Sequence, residues 1–223
     1  MANLGIKTPQ PKLSRRINTP FFSTSSTAHL DSIAPSVDIQ IKILGRCKEE
    51  DIVDLFNTGV DVNSTDSDGF TFLHIAALQG NVRFVEIALN YGANINALTE
   101  LGHSALMLSL FEFHEDVTRL LLDRGAVDYP DAYGQFAVHI AAAQGSEHAL
   151  AQLLILGQQV NVRDHKGHTP LHMASASGRE DVIELLLAHG ADVNATNNAG
   201  ETPMHIAAQR DRQEVCDTES LHG

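Results

Sequence analysis

Glycine recurs along most of this chain at an almost constant interval, and this interval limits the possible folds more than any other feature. In the main series, successive glycines are separated by 33, 32, 33 and 33 residues. The main series is Gly69, Gly102, Gly134, Gly167 and Gly200, and two series in phase with it are Gly80, Gly145 and Gly178, and Gly59, Gly92, Gly125, Gly157 and Gly190. A repeat of this length predicts a stack of supersecondary units, each too small to fold alone.

The clearest unit begins at Asp164 and predicts two short helices joined by a tight turn. Thr169 is a favourable N-cap, and Pro170 follows it at the first helical position, where a backbone N–H has no intrahelical partner. Gly178 can end this helix in the left-handed conformation. The apolar residues of 182–187 recur at helical spacing and indicate a second helix. Because helices of about two turns are unstable alone in water, neighbouring units must stack.

Several short motifs resemble the ankyrin repeat. Its signature is matched by T-P-L-H-M-A at 169–174, T-P-M-H-I-A-A at 202–208 and T-F-L-H-I-A-A at 71–77, and its closing segment by G-A-D-V-N-A at 190–195 and G-A-N-I-N-A at 92–97. The resemblance to the ankyrin-repeat family covers about residues 34–210. It implies an all-α solenoid of stacked helix-turn-helix units whose connections form turn or hairpin fingers.

The repeats are unequal, and the segments around them do not fit the pattern. Phe113 replaces a glycine of the second series, and the connection around Tyr129 and Pro130 is one residue short. We predict a disordered, basic, Ser/Thr/Pro-rich tail at 1–33, a degenerate capping repeat at 34–63, ankyrin repeats at 64–97, 98–129, 130–163 and 164–196, a partial repeat at 197–216 and a tail at 217–223. The partial repeat is consistent with a polar C-terminal cap or with a shortened form of a longer protein.

The formal charge of −13 bears on the class of partner. An acidic surface repels phosphates and anionic lipid, so we expect neither nucleic acid nor a membrane as the primary partner. Cys47 and Cys216 lack metal-binding spacing and fit a reducing compartment, so we expect a cytoplasmic or nuclear protein. The sequence does not determine the oligomeric state, and we expect a monomer. The basic N-terminal segment also resembles a mitochondrial presequence, but Gly5 and Pro9 oppose the amphipathic helix that a presequence needs.

The sequence predicts no enzyme, no cofactor and no small-molecule substrate, because it contains neither a nucleophile elbow nor a phosphate-binding loop. The resemblance implies that the repeat histidines, which are His74, His139, His172 and His205, link adjacent turns through hydrogen bonds. His165, His168 and His172 are close in sequence, but no cysteine or carboxylate completes a zinc site with them. We therefore predict no metal site.

The resemblance also implies where a protein partner binds, on a concave face formed by the finger tips and the exposed side of each first helix. The predicted contact residues are Phe70, Leu78, Leu101, His103, Phe111, Tyr133, His165 and Lys166. Aligned apolar residues on one surface mark interaction sites. The alternative is that some of these residues fold inward, Phe111 above all, because its repeat lacks the usual histidine and glycine.

Two asparagines match the position at which ankyrin repeats can be hydroxylated. Asn194 and Asn63 each follow a leucine at the spacing that the family requires. The alternative is that these side chains only hold the turn, since asparagine readily bonds local backbone groups.

Three functions fit these observations. The first is an adaptor or scaffold that binds a protein on the concave face. The second is a regulatory or inhibitory subunit that masks a basic segment of its target with its acidic surface. The third is a shortened form of a ubiquitin-ligase substrate-recognition subunit, although Leu221–Gly223 offers no docking box.

Overall fold

The structure, a computed structural model, describes residues 48–209, and these form a row of paired helices. The helices are α1 (Glu49–Asn57), α2 (Phe72–Leu78), α3 (Val82–Asn90), α4 (Ala105–Phe111), α5 (Glu115–Asp123), α6 (Ala137–Gln144), α7 (Glu147–Ile155), α8 (Pro170–Ser177), α9 (Glu180–Ala188) and α10 (Pro203–Gln209). No helix within these residues is long and apolar enough to cross a membrane. The predicted tails, the start of the capping repeat (34–47) and the end of the partial repeat (210–216) lie outside the described residues.

The helices stack in two parallel layers. The first helices of successive repeats, α2, α4, α6, α8 and α10, pack against one another, and the second helices α1, α3, α5, α7 and α9 form the other layer. The first helices α4, α6 and α8 are buried almost completely and contain alanine at closely packed positions, as in Ala141–Ala143 of α6. Small side chains let the helices approach closely, and dispersion contacts and apolar burial then hold the stack together. The predicted all-α solenoid is confirmed.

The signature motif forms the start of the first helices α2, α8 and α10. In α2, the Thr71 side chain accepts a hydrogen bond from the His74 backbone, and the Thr71 backbone N–H donates to His74 Nδ1 at 3.0 Å. These two bonds satisfy backbone groups that would otherwise be unpaired at the helix end. His74 Nε2 lies 2.9 Å from the Ala97 carbonyl oxygen in the next connection, so the same ring also links two repeats.

The finger glycines allow the repeats to come close together. Gly69 has φ +80°, and a Cβ added there would lie 2.9 Å from the backbone nitrogen of Glu100 in the next finger. A side chain at this position would therefore meet backbone and also strain its own conformation. Phe113 is the exception to the glycine pattern, since it has φ +60° with a side chain that is 53% exposed.

Candidate protein-binding face

The five fingers are the turns at 66–70, 99–103, 131–135, 164–168 and 197–201. Four of them are shaped by a side chain that accepts two backbone hydrogen bonds. In the third finger, Asp131 Oδ1 accepts from the N–H groups of Tyr133 and Gln135, both at 2.8 Å. Equivalent side chains bind the same two backbone positions in three other fingers, and these are Asp66, Asp164 and Asn197. The paired bonds fix the backbone of the finger, so the tip residues have defined positions before any partner binds.

One backbone hydrogen bond joins each finger tip to the next. The donor and acceptor pairs are Glu100 to Asp68 at 3.0 Å, Ala132 to Leu101 at 2.9 Å, His165 to Tyr133 at 2.9 Å and Asn198 to Lys166 at 2.9 Å. These eight residues define what we call the finger-tip face. Because every tip is bonded to its neighbour, the row of side chains is continuous across five fingers.

Four of the predicted contact residues lie on the finger-tip face. Tyr133 is 39% exposed, His165 and Lys166 are exposed, and Leu101 is half-buried. An accessible tyrosine beside a partly exposed leucine offers apolar area together with a hydroxyl group that can form hydrogen bonds.

The expectation that Phe70 and His103 are exposed is wrong. Phe70 is 2% exposed, and its ring lies 5.9 Å from that of His74. His103 is 3% exposed, and its Nε2 lies 3.8 Å from Asp131 Oδ2 in the following finger. Both residues directly follow a finger glycine, and at that point the chain turns its side chain towards the helices.

Leu78 and Phe111 occupy an intermediate position at the ends of their helices. Both are half-buried and pack against the hydrophobic core. The Phe111 ring also meets the His103 ring edge-on at 5.5 Å, which brings the end of α4 against the second finger. The predicted apolar cluster is therefore divided, with Phe70 in the core, Leu78 and Phe111 at its margin, and Leu101 and Tyr133 on the finger-tip face.

The sequence-based site omitted two charged residues that lie on the same face. Asp68 is half-buried and Glu100 is exposed, and the hydrogen bond between their backbones joins the first finger tip to the second. Their positions in the repeat were the signal that could have identified them, because Asp68 directly precedes its glycine as Tyr133 and Lys166 do, and Glu100 lies two residues before its glycine as His165 does.

Burial and hydrogen bonding perturb the carboxylates at the base of the fingers. Burial raises the pKa of Asp131, although the N–H groups of Gln135 and Tyr133 oppose the shift. Asp164 is also buried, but hydrogen bonds from the side chain and backbone of His168 lower its pKa. His168 Nδ1 lies 3.2 Å from Asp164 Oδ2, which places this histidine inside the finger.

Three of the four repeat histidines, His74, His139 and His172, link neighbouring repeats as the family resemblance implies, whereas His205 binds only Thr202 of its own repeat among the described residues. His139 Nε2 lies 3.1 Å from the His168 carbonyl oxygen, and His172 Nε2 lies 3.1 Å from that of Glu201. Burial lowers the pKa of His74, His139 and His172 from 6.5 to about 4, so these rings are neutral at pH 7. Within residues 48–209, no three His, Cys, Asp or Glu side chains are grouped to hold a metal ion.

The two candidate hydroxylation sites differ in their surroundings. Asn63 clamps the next repeat, since its Nδ2 donates to the Gly92 carbonyl at 3.2 Å and its Oδ1 accepts from the Asn94 N–H at 2.7 Å. Asn194 is exposed, and its side chain forms no hydrogen bond with any other described residue. Asn63 is also exposed, so the two sites differ in bonding rather than in exposure: the Asn63 side chain binds the next repeat, and the Asn194 side chain binds no other described residue.

Comparison with known proteins gives one family and several distant relatives. The family model for ankyrin repeats (3 copies) matches residues 44–131 and 138–218. Similar proteins are the Nuclear factor NF-kappa-B p105 subunit of Rattus norvegicus (34% identical over 97 residues, 42% of this chain and 10% of the relative), the Transient receptor potential cation channel subfamily A member 1 of Homo sapiens (32% over 95 residues, 42% and 8%) and the Potassium channel AKT2/3 of Arabidopsis thaliana (34% over 108 residues, 48% and 13%). The chain thus spans about a tenth of the length of these relatives.

Proposed function

This chain belongs to the ankyrin-repeat family, and from that premise we propose that it is an adaptor that binds a partner protein on its finger-tip face. Ankyrin repeats are generally non-catalytic modules for protein interaction. Because the chain matches only a small part of each relative, the activities of those proteins are not transferred to it. The proposal depends on the geometry of its own fingers.

The observation that carries the proposal is the row of bonded finger tips. Four backbone hydrogen bonds align exposed and half-buried side chains from successive repeats, so little conformational entropy is lost when a partner binds them. Tyr133, which is 39% exposed, is the side chain on this face best suited to act as an aromatic anchor. The carbonyl of Leu101 accepts the hydrogen bond from the Ala132 N–H, and the Leu101 side chain extends the apolar area towards the second finger.

Replacement of Tyr133 tests this proposal. The full chain is immobilised, partner proteins are captured from cell extract, and the captured amounts are compared for wild type and Tyr133→Ala. We expect at least about a tenfold loss of capture with an unchanged melting temperature, since a buried aromatic anchor contributes about 2 kcal/mol. Ile155→Ala is the control, because Ile155 is 79% exposed at the end of α7, away from the finger tips. Loss of capture in the control but not in Tyr133→Ala would reject the finger-tip face.

A second function is supported by the charge of the repeats. Residues 48–209 contain 22 acidic but only seven basic residues, which favours the masking of a basic segment on a target protein. The dependence of binding on salt concentration separates the two functions, because salt screens an interaction held by charge and leaves apolar anchoring largely unchanged. Captured partners are eluted with a salt gradient from wild type and from Tyr133→Ala. Elution of the wild-type complex at low salt would favour masking.

We also propose that the protein acts in the cytoplasm or nucleus.

Of the two candidate asparagines, we propose Asn194 rather than Asn63 as the hydroxylated position. Hydroxylation of Asn63 would disturb a side chain that already bonds Gly92 and Asn94. Mass spectrometry of the two tryptic peptides from protein expressed in cells tests the choice. One added oxygen on the Asn63 peptide alone would contradict it.

A further inference from the structure

The charge of the finger-tip face changes sign along the row. Asp68 lies on the first finger and Glu100 on the second, whereas the fourth finger carries His165 and Lys166. Arg163 stands at the base of the fourth finger, where its guanidinium donates to the Thr196 carbonyl. Since residues 48–209 contain only seven basic side chains, the placement of two of them with an exposed histidine on one finger is a distinct local feature.

The tip charges are available to a partner. Within residues 48–209, no ion pair involves Asp68, Glu100 or Lys166. On the second helices, by contrast, charges neutralise each other locally. Arg119 pairs with Asp116 at 2.6 Å, and Arg83 pairs with Glu86 at 2.6 Å.

We propose that the finger-tip face binds an extended protein segment whose own charge changes sign along its length. Its basic residues lie over Asp68 and Glu100, its acidic residues lie over Lys166, and an apolar side chain between them packs against Leu101 and Tyr133. This inference rests on the proposed function of the same face. A uniformly basic segment would be repelled at the fourth finger, and a uniformly acidic one at the first two, so the arrangement selects partners by charge order.

The spacing of the repeats sets the length of the segment. Packed helices are about 10 Å apart, so the first and fourth fingers are separated by roughly 30 Å. An extended chain advances about 3.3 Å per residue, and roughly nine residues therefore cover this distance. The basic and acidic groups of the partner should accordingly stand at opposite ends of a segment of about ten residues.

Two synthetic peptides of identical composition and about 12 residues test the charge order. The block peptide has lysines at one end, leucine and phenylalanine in the middle and glutamates at the other end. The control peptide keeps the same central leucine and phenylalanine but alternates lysine with glutamate on both sides of them. Binding to the full chain is measured by fluorescence anisotropy at low and high salt. We expect the block peptide to bind at least about fivefold tighter at low salt, with the advantage shrinking as salt rises.

Charge-reversal variants assign this advantage to the face. Glu100→Lys and Lys166→Glu should each reduce the preference for the block peptide about threefold or more, whereas Glu184→Lys, on the outer helix α9, should leave it unchanged. Melting curves confirm that these surface variants stay folded. Equal binding of both peptides, with Tyr133→Ala weakening both, would reject the charge order and leave the face intact. Peptide binding that Tyr133→Ala leaves unchanged would reject the face itself, and no binding of either peptide would reject an extended segment as the occupant.

Discussion

Asp128 accepts a hydrogen bond of 2.6 Å from the backbone N–H of Ala137 and thereby caps α6 from outside the helix. The local N-cap residue is Phe136, whose side chain has no acceptor. The second carboxylate oxygen of Asp128 accepts from the Val138 N–H at 3.2 Å and from Gln158 Nε2 at 2.8 Å. Asp128 belongs to the shortened connection before the third repeat and lies at the N-terminal end of α6. Its carboxylate takes the place of the threonine that other repeats have at this end.

Removal of this cap should destabilise the solenoid. Asp128→Ala leaves two helix N–H groups and the Gln158 amide without an acceptor, and loss of a cap costs about 1–2 kcal/mol. Urea unfolding followed by circular dichroism measures the change. Asp123→Ala provides the control, because Asp123 is exposed at the end of α5. Equal stability of the two variants would mean that Asp128 does not act as a cap.

Acid should unfold the solenoid through its buried histidines. The pKa of His74, His139 and His172 is about 4 in the folded protein and 6.5 in an unfolded chain, so between these values the unfolded state binds more protons and stability falls as pH falls. Each histidine contributes a change of about 3 kcal/mol across this range. Burial also raises the pKa of Asp128 to about 6, which opposes the trend because the folded state then takes up a proton first.

Urea unfolding at a series of pH values between about 7 and about 4 checks this prediction. His139→Gln should show a shallower loss of stability on acidification than wild type. His148→Gln should follow the wild-type profile, because His148 is exposed on α7. A wild-type stability that stays constant down to about pH 4 would contradict the buried neutral state of the histidines.

Phe113 should be a position where glycine stabilises the protein. Its φ of +60° strains any residue with a Cβ by about 1 kcal/mol, and its side chain is 53% exposed, so little burial is lost on removal. Phe113→Gly should therefore raise the free energy of unfolding by about 1 kcal/mol. The reciprocal change, Gly190→Ala, should lower it by a similar amount, because Gly190 has φ +83° with open space around it. A destabilised Phe113→Gly would show that packing of the ring outweighs the strain.

The sequence predicted the fold because the same glycines and cap residues recur in each unit. It did not distinguish the finger residues that face outwards from those, such as Phe70 and His103, that face the helices. In all five fingers the residue after the glycine is buried or half-buried, and these residues are Phe70, His103, Gln135, His168 and Glu201. The residue before the glycine is exposed in three fingers, as Tyr133, Lys166 and Ala199, and half-buried in the other two, as Asp68 and Leu101. A period of 33 residues gives the position of a side chain in the repeat, but its direction depends on the backbone of the turn.

The cap formed by Asp128 could not be predicted for a similar reason. The sequence shows that one residue is missing before the third repeat, but the contact between Asp128 and Ala137 spans nine positions and depends on how the shortened connection folds. Tertiary structure thus supplies an acceptor that local sequence lacks at Phe136.

Equivalent asparagines of two successive repeats should differ in their contribution to stability. Asn161 Nδ2 donates to the Gly190 carbonyl at 3.1 Å, and its Oδ1 accepts from the Asp192 N–H at 2.9 Å, so this side chain clamps the next repeat as Asn63 does. Asn194 lies 33 residues later at the same position, and its side chain bonds no other described residue.

Asn161→Ala should lower the free energy of unfolding by about 1–2 kcal/mol, at about 1 kcal/mol for each hydrogen bond, whereas Asn194→Ala should change it by less than about 0.5 kcal/mol. Urea unfolding of the two variants makes the comparison directly. Equal losses would show that the asparagine stabilises its own turn rather than the junction between repeats, because only the junction bonds distinguish the two positions.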